Sequence, residues 1–239
     1  MNTVKFDKNN VKVIAHRGLS GIEKENTCSA FVAAGNRSYY GVETDIHRTA
    51  DGKFVINHDN DVFRATGEKI NTTDASLAVF ESLVVFDRDG TKERNDLRLC
   101  SLENYLKICK KYEKHCVIEL KTHFTDEEIA RIIDIIKSYD YIDSVTFISF
   151  CYENLTKVRS ILPEQSVQFL FFEPSDEIFE NMVKDKIDVD IFHAKLTKEL
   201  LDKYHESGLK VNCFTVDKKE DAEKYAEWGV DFITTNILE

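Results

Sequence analysis

The sequence predicts the α/β fold class and, within it, a single (β/α)8 TIM barrel. Three observations predict it: short β-branched segments alternate with longer amphipathic ones, eight strand candidates follow one another in this way, and 239 residues is the size of one such barrel. Eight strands in alternation favour a closed barrel over an open sheet. The strand candidates are Val11–Ala15, Gly41–Ile46, Val117–Leu120, Val145–Ser149, Val167–Phe171, Val189–His193, Lys210–Thr215 and Asp231–Thr234.

The amphipathic segments have the spacing and the end signals of helices. Within Asp126–Ser138, isoleucines recur every three or four residues on one face, and Thr125 precedes an acidic first turn as an N-cap does. Gly208 and Gly229 follow the last two predicted helices, where a left-handed C-cap residue is expected. The remaining helices are predicted over Thr73–Leu83, Leu102–Lys111, Tyr152–Ile161, Asp176–Lys184, Lys198–Glu206 and Lys218–Glu227.

The chain is expected to form one domain over residues 1–239, because it has two prolines and no Gly/Ser tract that would mark a linker. A polar stretch from about residue 59 to residue 98 interrupts the strand–helix rhythm and predicts a small insertion after the second strand. The sequence ends at Glu239, just after the eighth strand, so the eighth helix is expected to be short or missing. Val4–Asn10 is expected to cover that edge of the barrel.

The net charge of −11 argues against nucleic acid and against an anionic membrane as the main partner, because both need a positive surface. No run of about 18 apolar residues occurs, so stable membrane insertion is not expected. The first residues lack the pattern of a signal peptide, and six scattered cysteines without a CxxC pair are typical of reduced thiols. These features predict a cytoplasmic protein. They do not argue against a small-molecule phosphate substrate, and they leave a homo-oligomer open.

Three carboxylates fall on predicted barrel strands. Glu43 and Asp45 are two residues apart in the second strand and share one face, while Glu119 shares a face with Lys121 in the third. Both faces of a parallel barrel strand are covered, so a solvated polar face is the weaker alternative. Buried carboxylates that repel one another require a cation or a shared proton, and oxygen ligands favour Ca²⁺ or Mg²⁺. His47 is expected to face away from Asp45 and is left out of the site.

Two histidines are expected at the carboxyl ends of strands, where barrel active sites lie. His16 ends the first strand and His58 follows a short extended piece, Lys53–Asn57. Imidazoles titrate near neutrality, so a pair can take a proton from a nucleophile and give one to a leaving group. Arg17 and Lys121 supply positive charge for phosphate oxygens. His193 closes the sixth strand, where either a substrate contact or a structural role is open.

The motifs in this order resemble the glycerophosphodiester phosphodiesterase family from end to end. They are AHRG, ENT, GVETDIHRTADGKFVINHD, RLCSLENYL, VIELK, VNCFTVD and GVDFITTN. The resemblance implies a TIM barrel with an insertion after the second strand, His16 and His58 as the acid–base pair, and a divalent metal held by Glu43, Asp45 and Glu119.

The resemblance also implies hydrolysis of glycerophosphodiesters, such as glycerophosphocholine or glycerophosphoethanolamine, to glycerol 3-phosphate and an alcohol. The free glycerol hydroxyl attacks the phosphate with histidine assistance, and the resulting cyclic phosphate is then hydrolysed. Two departures concern the substrate side of the site. Phe214 stands where the family usually has Trp and is expected to contact the substrate, and Asn236 replaces the usual Asp.

Two alternative functions are open from the sequence. A phospholipase D-like action on lysophospholipids would use the same residues but would need an apolar approach for an acyl chain. Leu77, Phe80, Leu83 and Val84 in the insertion are spaced to supply one, or to pack the insertion helix on its own barrel. The other alternative is a catalytically inactive barrel that binds phosphodiesters. The presence of all five proposed metal and acid–base residues argues against it.

Overall fold

The computed structural model describes residues 2–239, which form a barrel of parallel strands surrounded by helices. The strands are β1 (Lys12–Ala15), β2 (Gly41–Arg48), β3 (Phe54–Ile56), β4 (Cys100–Ser101), β5 (His115–Leu120), β6 (Val145–Ser149), β7 (Ser166–Phe171), β8 (Asp188–Phe192), β9 (Val211–Phe214) and β10 (Phe232–Thr235). The helices are α1 (Cys28–Gly35), α2 (Phe63–Thr66), α3 (Leu77–Ser82), α4 (Leu102–Lys111), α5 (Asp126–Ser138), α6 (Tyr152–Ile161), α7 (Asp176–Asp185), α8 (Lys198–Glu206) and α9 (Lys219–Trp228).

Eight of the strands close into a barrel. β1 pairs in parallel with both β10 and β2, and β5 to β9 complete the circle between them. The predicted TIM barrel is therefore confirmed. All eight predicted strands occur, with β2 and β5 each two residues longer than expected. Four of the predicted helices have the bounds that the sequence indicated, whereas α1 and α2 were not predicted.

The main hydrophobic core lies between the barrel strands and the outer helices. α5 shows how the sequence places a helix there, because Ile129, Ile132, Ile133 and Ile136 are all buried on its inner face. Burying each such side chain contributes about 1.5–3 kcal/mol. Inside the barrel, a second apolar cluster fills only part of the interior and leaves room for polar side chains at the mouth.

The insertion after β2 has a small core of its own. β3 pairs antiparallel with the end of β2 and with β4, and α2 and α3 pack beside them. The buried residues of this cluster are Val55, Val62, Ala65, Leu77, Phe80, Val85, Leu97 and Leu99. α3 is shorter than the predicted Thr73–Leu83, because residues 73–76 form a turn and an extended N-cap. We propose that barrel and insertion form one domain, since β3 continues the hydrogen bonding of β2.

No helix follows β10 in the described residues 236–239, as expected. The first residues cover that edge instead, because Val4 forms a parallel bridge with Leu238 and Phe6 is buried. The Glu239 carboxylate accepts hydrogen bonds from the backbone and the hydroxyl of Ser38 at 2.8 and 2.9 Å. Among the described residues, none of the helices combines the length and the apolar character that a membrane crossing requires.

Candidate active site

Three carboxylates from two adjacent strands meet inside the mouth of the barrel. Glu43 and Asp45 lie on β2, and Glu119 lies on β5 directly opposite Asp45 in the strand register. Each offers an oxygen within 4.8 Å of the others, and the residues are only 2%, 0% and 7% exposed. The side-chain alternation predicted from the sequence therefore does bring these carboxylates together.

Two cations surround the carboxylates. The Lys121 ammonium lies 2.9 Å from a Glu119 oxygen and 3.4 Å from Asp45 Oδ1. The Arg17 guanidinium lies 3.4 Å from Asp45 Oδ2, and its backbone N–H donates to Glu43 at 2.8 Å. Both cations stay partly accessible, at 17% for Arg17 and 12% for Lys121. They can therefore reach a bound anion as well as the carboxylates.

The electrostatics show that the three carboxylates are not balanced by the protein alone. Burial raises the pKa of Glu43 well above its usual range, and the Asp45 charge raises it further. Burial and Asp45 also raise the pKa of Glu119. Burial alone would raise the pKa of Asp45 too, but Arg17 and Lys121 hold it below its usual range. Asp45 Oδ1 lies 3.4 Å from the Lys121 ammonium but accepts no hydrogen bond, so this cluster of hard oxygen ligands fits a divalent cation such as Ca²⁺ or Mg²⁺.

His16 is held at the end of β1 in a defined tautomer. Asn236 Nδ2 donates to Asp217 at 2.6 Å, which leaves Asn236 Oδ1 to accept from His16 Nδ1 at 2.8 Å. His16 Nδ1 therefore carries the proton, and Nε2, 4.0 Å from a Glu43 oxygen, is free to accept one. Burial lowers the pKa of His16 to about 4, and the Arg17 charge adds to this shift. The neutral ring is suited to act as a base.

His58 lies in the loop after β3 and is paired with a carboxylate. Its Nδ1 is 2.6 Å from Asp59 Oδ1, and Arg64 Nε donates to Asp59 Oδ2 at 2.6 Å. The carboxylate of Asp59 therefore orients the His58 ring. Neither Asp59 nor Arg64 was predicted as part of the site, although Asp59 directly follows His58.

Two further polar residues belong to the site but were not predicted. His47 was placed on the wrong face: residues two apart on a strand share a face, so His47 lies on the side of Asp45. It is 1% exposed, and its Nε2 lies 3.4 Å from the His58 carbonyl oxygen. Asn26 donates to Asp45 Oδ2 at 2.7 Å and accepts from the Thr44 hydroxyl at 3.1 Å. The signal in the sequence that could have identified Asn26 was its position in the ENT motif.

The barrel mouth contains a pocket of about 150 Å³. Its polar side includes His16, Arg17, Glu43, His58, Glu119 and Lys121, and its apolar wall includes Phe150, Phe172 and Phe214. The volume is below the range of about 300–1,000 Å³ typical of drug-sized ligands. The pocket therefore suits a small ligand with one anionic and one apolar part.

The two predicted substrate contacts on the far side of the mouth differ in position. Phe214 lines the pocket, with its ring 6.2 Å from that of Phe150 and 5.9 Å from that of Phe172. His193 is not among the lining residues. Its carbonyl accepts from the Tyr225 hydroxyl at 2.7 Å, and its ring lies against Phe192. The structure thus brings Phe214 to the pocket, whereas His193 contacts Tyr225 and Phe192.

The fold and the site together are those of a phosphate-ester hydrolase. The (β/α)8 barrel carries buried carboxylates, two histidines and two cations that can bind phosphate at its mouth. Residues 16–239 match the Glycerophosphoryl diester phosphodiesterase family. The chain belongs to this family and is an enzyme that acts on glycerophosphodiesters.

Similar proteins agree with this assignment. A glycerophosphodiester phosphodiesterase of Caldanaerobacter subterraneus is 29% identical over 94% of this chain and 93% of the relative. A glycerophosphodiester phosphodiesterase of Parabacteroides distasonis has a crystal structure that is 27% identical, with a TM-score of 0.79, covering 96% of this chain and 94% of that one. The fold is also that of an Oleispira antarctica phosphodiesterase solved with the product sn-glycerol-3-phosphate, at a TM-score of 0.87 and 24% identity, over 94% of this chain and 92% of that one.

Proposed function

We propose that the chain hydrolyses small glycerophosphodiesters, such as glycerophosphocholine or glycerophosphoethanolamine, to glycerol 3-phosphate and an alcohol, with the help of a divalent cation. The observation that carries the proposal is the buried cluster of Glu43, Asp45 and Glu119 beside two histidines with separate partners. These carboxylates would hold Ca²⁺ or Mg²⁺. Such an ion, when bound, polarises a phosphoryl oxygen and offsets the charge that develops on it.

The two histidines divide the proton transfers between them. Neutral His16 accepts the proton of the glycerol 2-hydroxyl through Nε2 as that oxygen bonds to phosphorus. The bond from phosphorus to the alcohol oxygen breaks, and His58, oriented by Asp59, donates a proton to the departing oxygen. Water then opens the cyclic phosphate with the two roles exchanged, as microscopic reversibility requires. This assignment is supported by the low pKa of His16 and by the 2.6 Å contact of His58 with Asp59.

The remaining proposed contacts position the substrate. Arg17 and Lys121 are the cations that can bind the non-bridging phosphate oxygens, since both line the pocket. Phe214 packs against the carbon skeleton of the substrate as part of the apolar wall. His193 contributes through Phe192, whose ring lies against those of His193, Phe172 and Phe214.

A lysophospholipid substrate is the second candidate. Two of the insertion residues considered for an acyl chain do not support it, because Leu77 is 6% and Phe80 is 0% exposed in the core of the insertion. A different feature favours it: Phe150 and Phe172 are 41% and 55% exposed at the mouth, with their rings stacked at 5.1 Å. This apolar edge could accept an acyl chain.

A cytoplasmic location remains part of the proposal, on the grounds of the cysteine content.

The decisive experiment uses metal-stripped protein. Glycerophosphocholine, glycerophosphoethanolamine and lysophosphatidylcholine are each incubated with added Ca²⁺ or Mg²⁺, and glycerol 3-phosphate and free choline are assayed. We expect turnover of a glycerophosphodiester that EDTA abolishes, and a loss of at least about 10²-fold in His16→Ala and in His58→Ala. His123→Ala is the matched control, because His123 is 56% exposed and pairs with Glu153. Metal-independent turnover, or full activity in both variants, would contradict the mechanism.

A further inference from the structure

The floor of the pocket is polar on one side of the barrel. β7 to β10 each place one buried polar side chain there, none more than 3% exposed: Gln168, Asp190, Asn212 and Thr234. Barrel interiors are usually filled by Val, Ile and Leu, and this interior also contains an apolar cluster of Ile14, Val117, Ile148 and Leu170. The four polar side chains beside this cluster therefore need hydrogen-bond partners.

Part of this floor is satisfied within the protein and part is not. Asn212 and Thr234 exchange hydrogen bonds at 3.0 and 3.2 Å. In contrast, Asp190 Oδ1 and Gln168 Oε1 are buried without a hydrogen-bond partner. Asp190 also lines the pocket that holds the catalytic residues. Buried polar atoms in proteins nearly always have a partner, so this unmatched group in a substrate pocket points to a group on the ligand.

The chemistry of Asp190 suggests which group this is. Burial raises the pKa of Asp190 well above its usual range, nearby Asn212 opposes the shift, and the Glu119 charge adds to it. A neutral carboxyl offers one O–H donor together with acceptor oxygens. A hydroxyl also both donates and accepts, whereas a phosphate oxygen would be better served by Arg17 and Lys121.

We propose that Asp190 is a specificity-determining residue that hydrogen-bonds the terminal hydroxyl of the substrate's glycerol. The inference rests on the proposed function, in which the middle hydroxyl attacks phosphorus and the terminal one is left without a role. In a pocket of about 150 Å³, that hydroxyl is removed from water and needs a partner on the protein. Asp190 supplies it from β8, on a wall of the barrel that carries none of the proposed metal or acid–base residues.

This arrangement should reject substrates that lack the terminal hydroxyl. A site that is built to hydrogen-bond a substrate hydroxyl discriminates against the analogue lacking it by as much as about 10⁴–10⁵-fold. The pocket is open to solvent at the mouth, so we expect a smaller factor here, of about 10² in kcat/KM.

The test compares glycerophosphocholine with an analogue in which propane-1,2-diol replaces glycerol and retains the attacking hydroxyl. Choline release is measured for the wild type, Asp190→Asn and Asp190→Val, all checked for folding by thermal unfolding. We expect the wild type to prefer glycerophosphocholine by about 10²-fold and Asp190→Val to show a ratio below about 5. Asp190→Asn, which keeps a donor and an acceptor, should retain most of the preference. If the Val variant does not fold, Asp190→Ala replaces it and should lose the preference in the same way.

Equal losses of kcat/KM for both substrates in Asp190→Val would indicate a structural role and would overturn the inference, as would a wild type that does not discriminate. A separate binding measurement distinguishes failure of the inference from failure of the proposed function. Calorimetric affinities of glycerol 3-phosphate and of propane-1,2-diol 1-phosphate are compared for the wild type and Asp190→Val. If no diester is turned over but this preference is present and depends on Asp190, the proposed activity fails and the hydroxyl recognition stands.

Discussion

Replacing Asn26 by glycine tests whether the carboxylate cluster is built to hold a metal ion. Asn26 is 4% exposed, and its amide donates to Asp45 Oδ2 at 2.7 Å. A hydrogen bond to a charged group contributes about 1.5–3 kcal/mol. Loss of about 2 kcal/mol from the ligand geometry corresponds to roughly a 30-fold change in an equilibrium constant. This agrees with the roughly 10–100-fold loss of metal affinity that is typical when an outer partner of a ligand is removed.

Glycine is the informative replacement because of the backbone at this position. Asn26 has a φ of +58°, a left-handed conformation that glycine adopts without strain. Asn26→Ala would add a conformational cost of about 1–2 kcal/mol to the loss of the side chain and would confuse stability with metal binding. Asn9→Gly is the matched control, since Asn9 also has a positive φ, of +46°, and its side chain is exposed.

The assay is calorimetric titration of metal-stripped protein with Ca²⁺ and with Mg²⁺, together with the metal concentration that gives half-maximal activity. We expect the dissociation constant and the half-maximal metal concentration each to rise about 30-fold in Asn26→Gly. In Asn9→Gly, both should stay within about 2-fold of the wild-type values. The reasoning would be refuted by an Asn26→Gly protein that is folded and binds the ion with unchanged affinity, because Asp45 would then not depend on its amide partner.

Three further outcomes are expected. Burial alone would raise the pKa of Glu239, but its hydrogen bonds lower it to about 2 from a usual value of 4.5. The ionised Glu239 carboxylate therefore stabilises the fold above about pH 5, and this contribution is lost as the pH falls towards 2. Glu239→Gln should lower the free energy of unfolding in urea by about 2 kcal/mol at pH 7 and by little at pH 2. Thr125→Ala removes the N-cap of the α5 capping box and should cost about 1 kcal/mol in the same assay. Glycerol 3-phosphate should bind at least about 10-fold more weakly in EDTA than with Ca²⁺ by calorimetry, because Lys121 stays paired with Asp45 when no dication is present.

The parts of the fold that could be predicted are those with signals local to the chain. α5 begins and ends where the sequence indicated, because Thr125 and Glu128 form a capping box and four isoleucines define one face. α2 has no such signal: it is four residues long, and its N-cap, Val62, makes no side-chain hydrogen bond. It is held by the separate core of the insertion, so its stability comes from tertiary contacts that cannot be read from a short window.

The same distinction applies to the site. Side-chain alternation could place Glu43 and Asp45 together, and correct use of the same rule would have added His47. The partners that fix the geometry come from distant parts of the chain, as in the bond from His16 to Asn236, which joins residues 220 positions apart. The change from the usual Asp to Asn236 could be seen in the sequence. The tautomer of His16 is fixed because Asp217 orients the Asn236 amide, and this could be seen only in the structure.

The ion pairs at the mouth explain how a chain with a net charge of −11 can bind an anionic diester. Without a metal, Lys121 is paired with Glu119 and Asp45, and Arg17 is paired with Asp45 and Glu25, so both cations bind a phosphate only in competition with these carboxylates. A dication held by the carboxylates would take over this pairing and turn the excess of negative charge into a local positive one. Because the site is buried, this local charge is weakly screened, whereas the charges on the outer helices are screened within about 10 Å. If the proposed metal site is correct, the affinity for phosphate would therefore be set by the occupancy of the carboxylate cluster and not by the total charge of the chain.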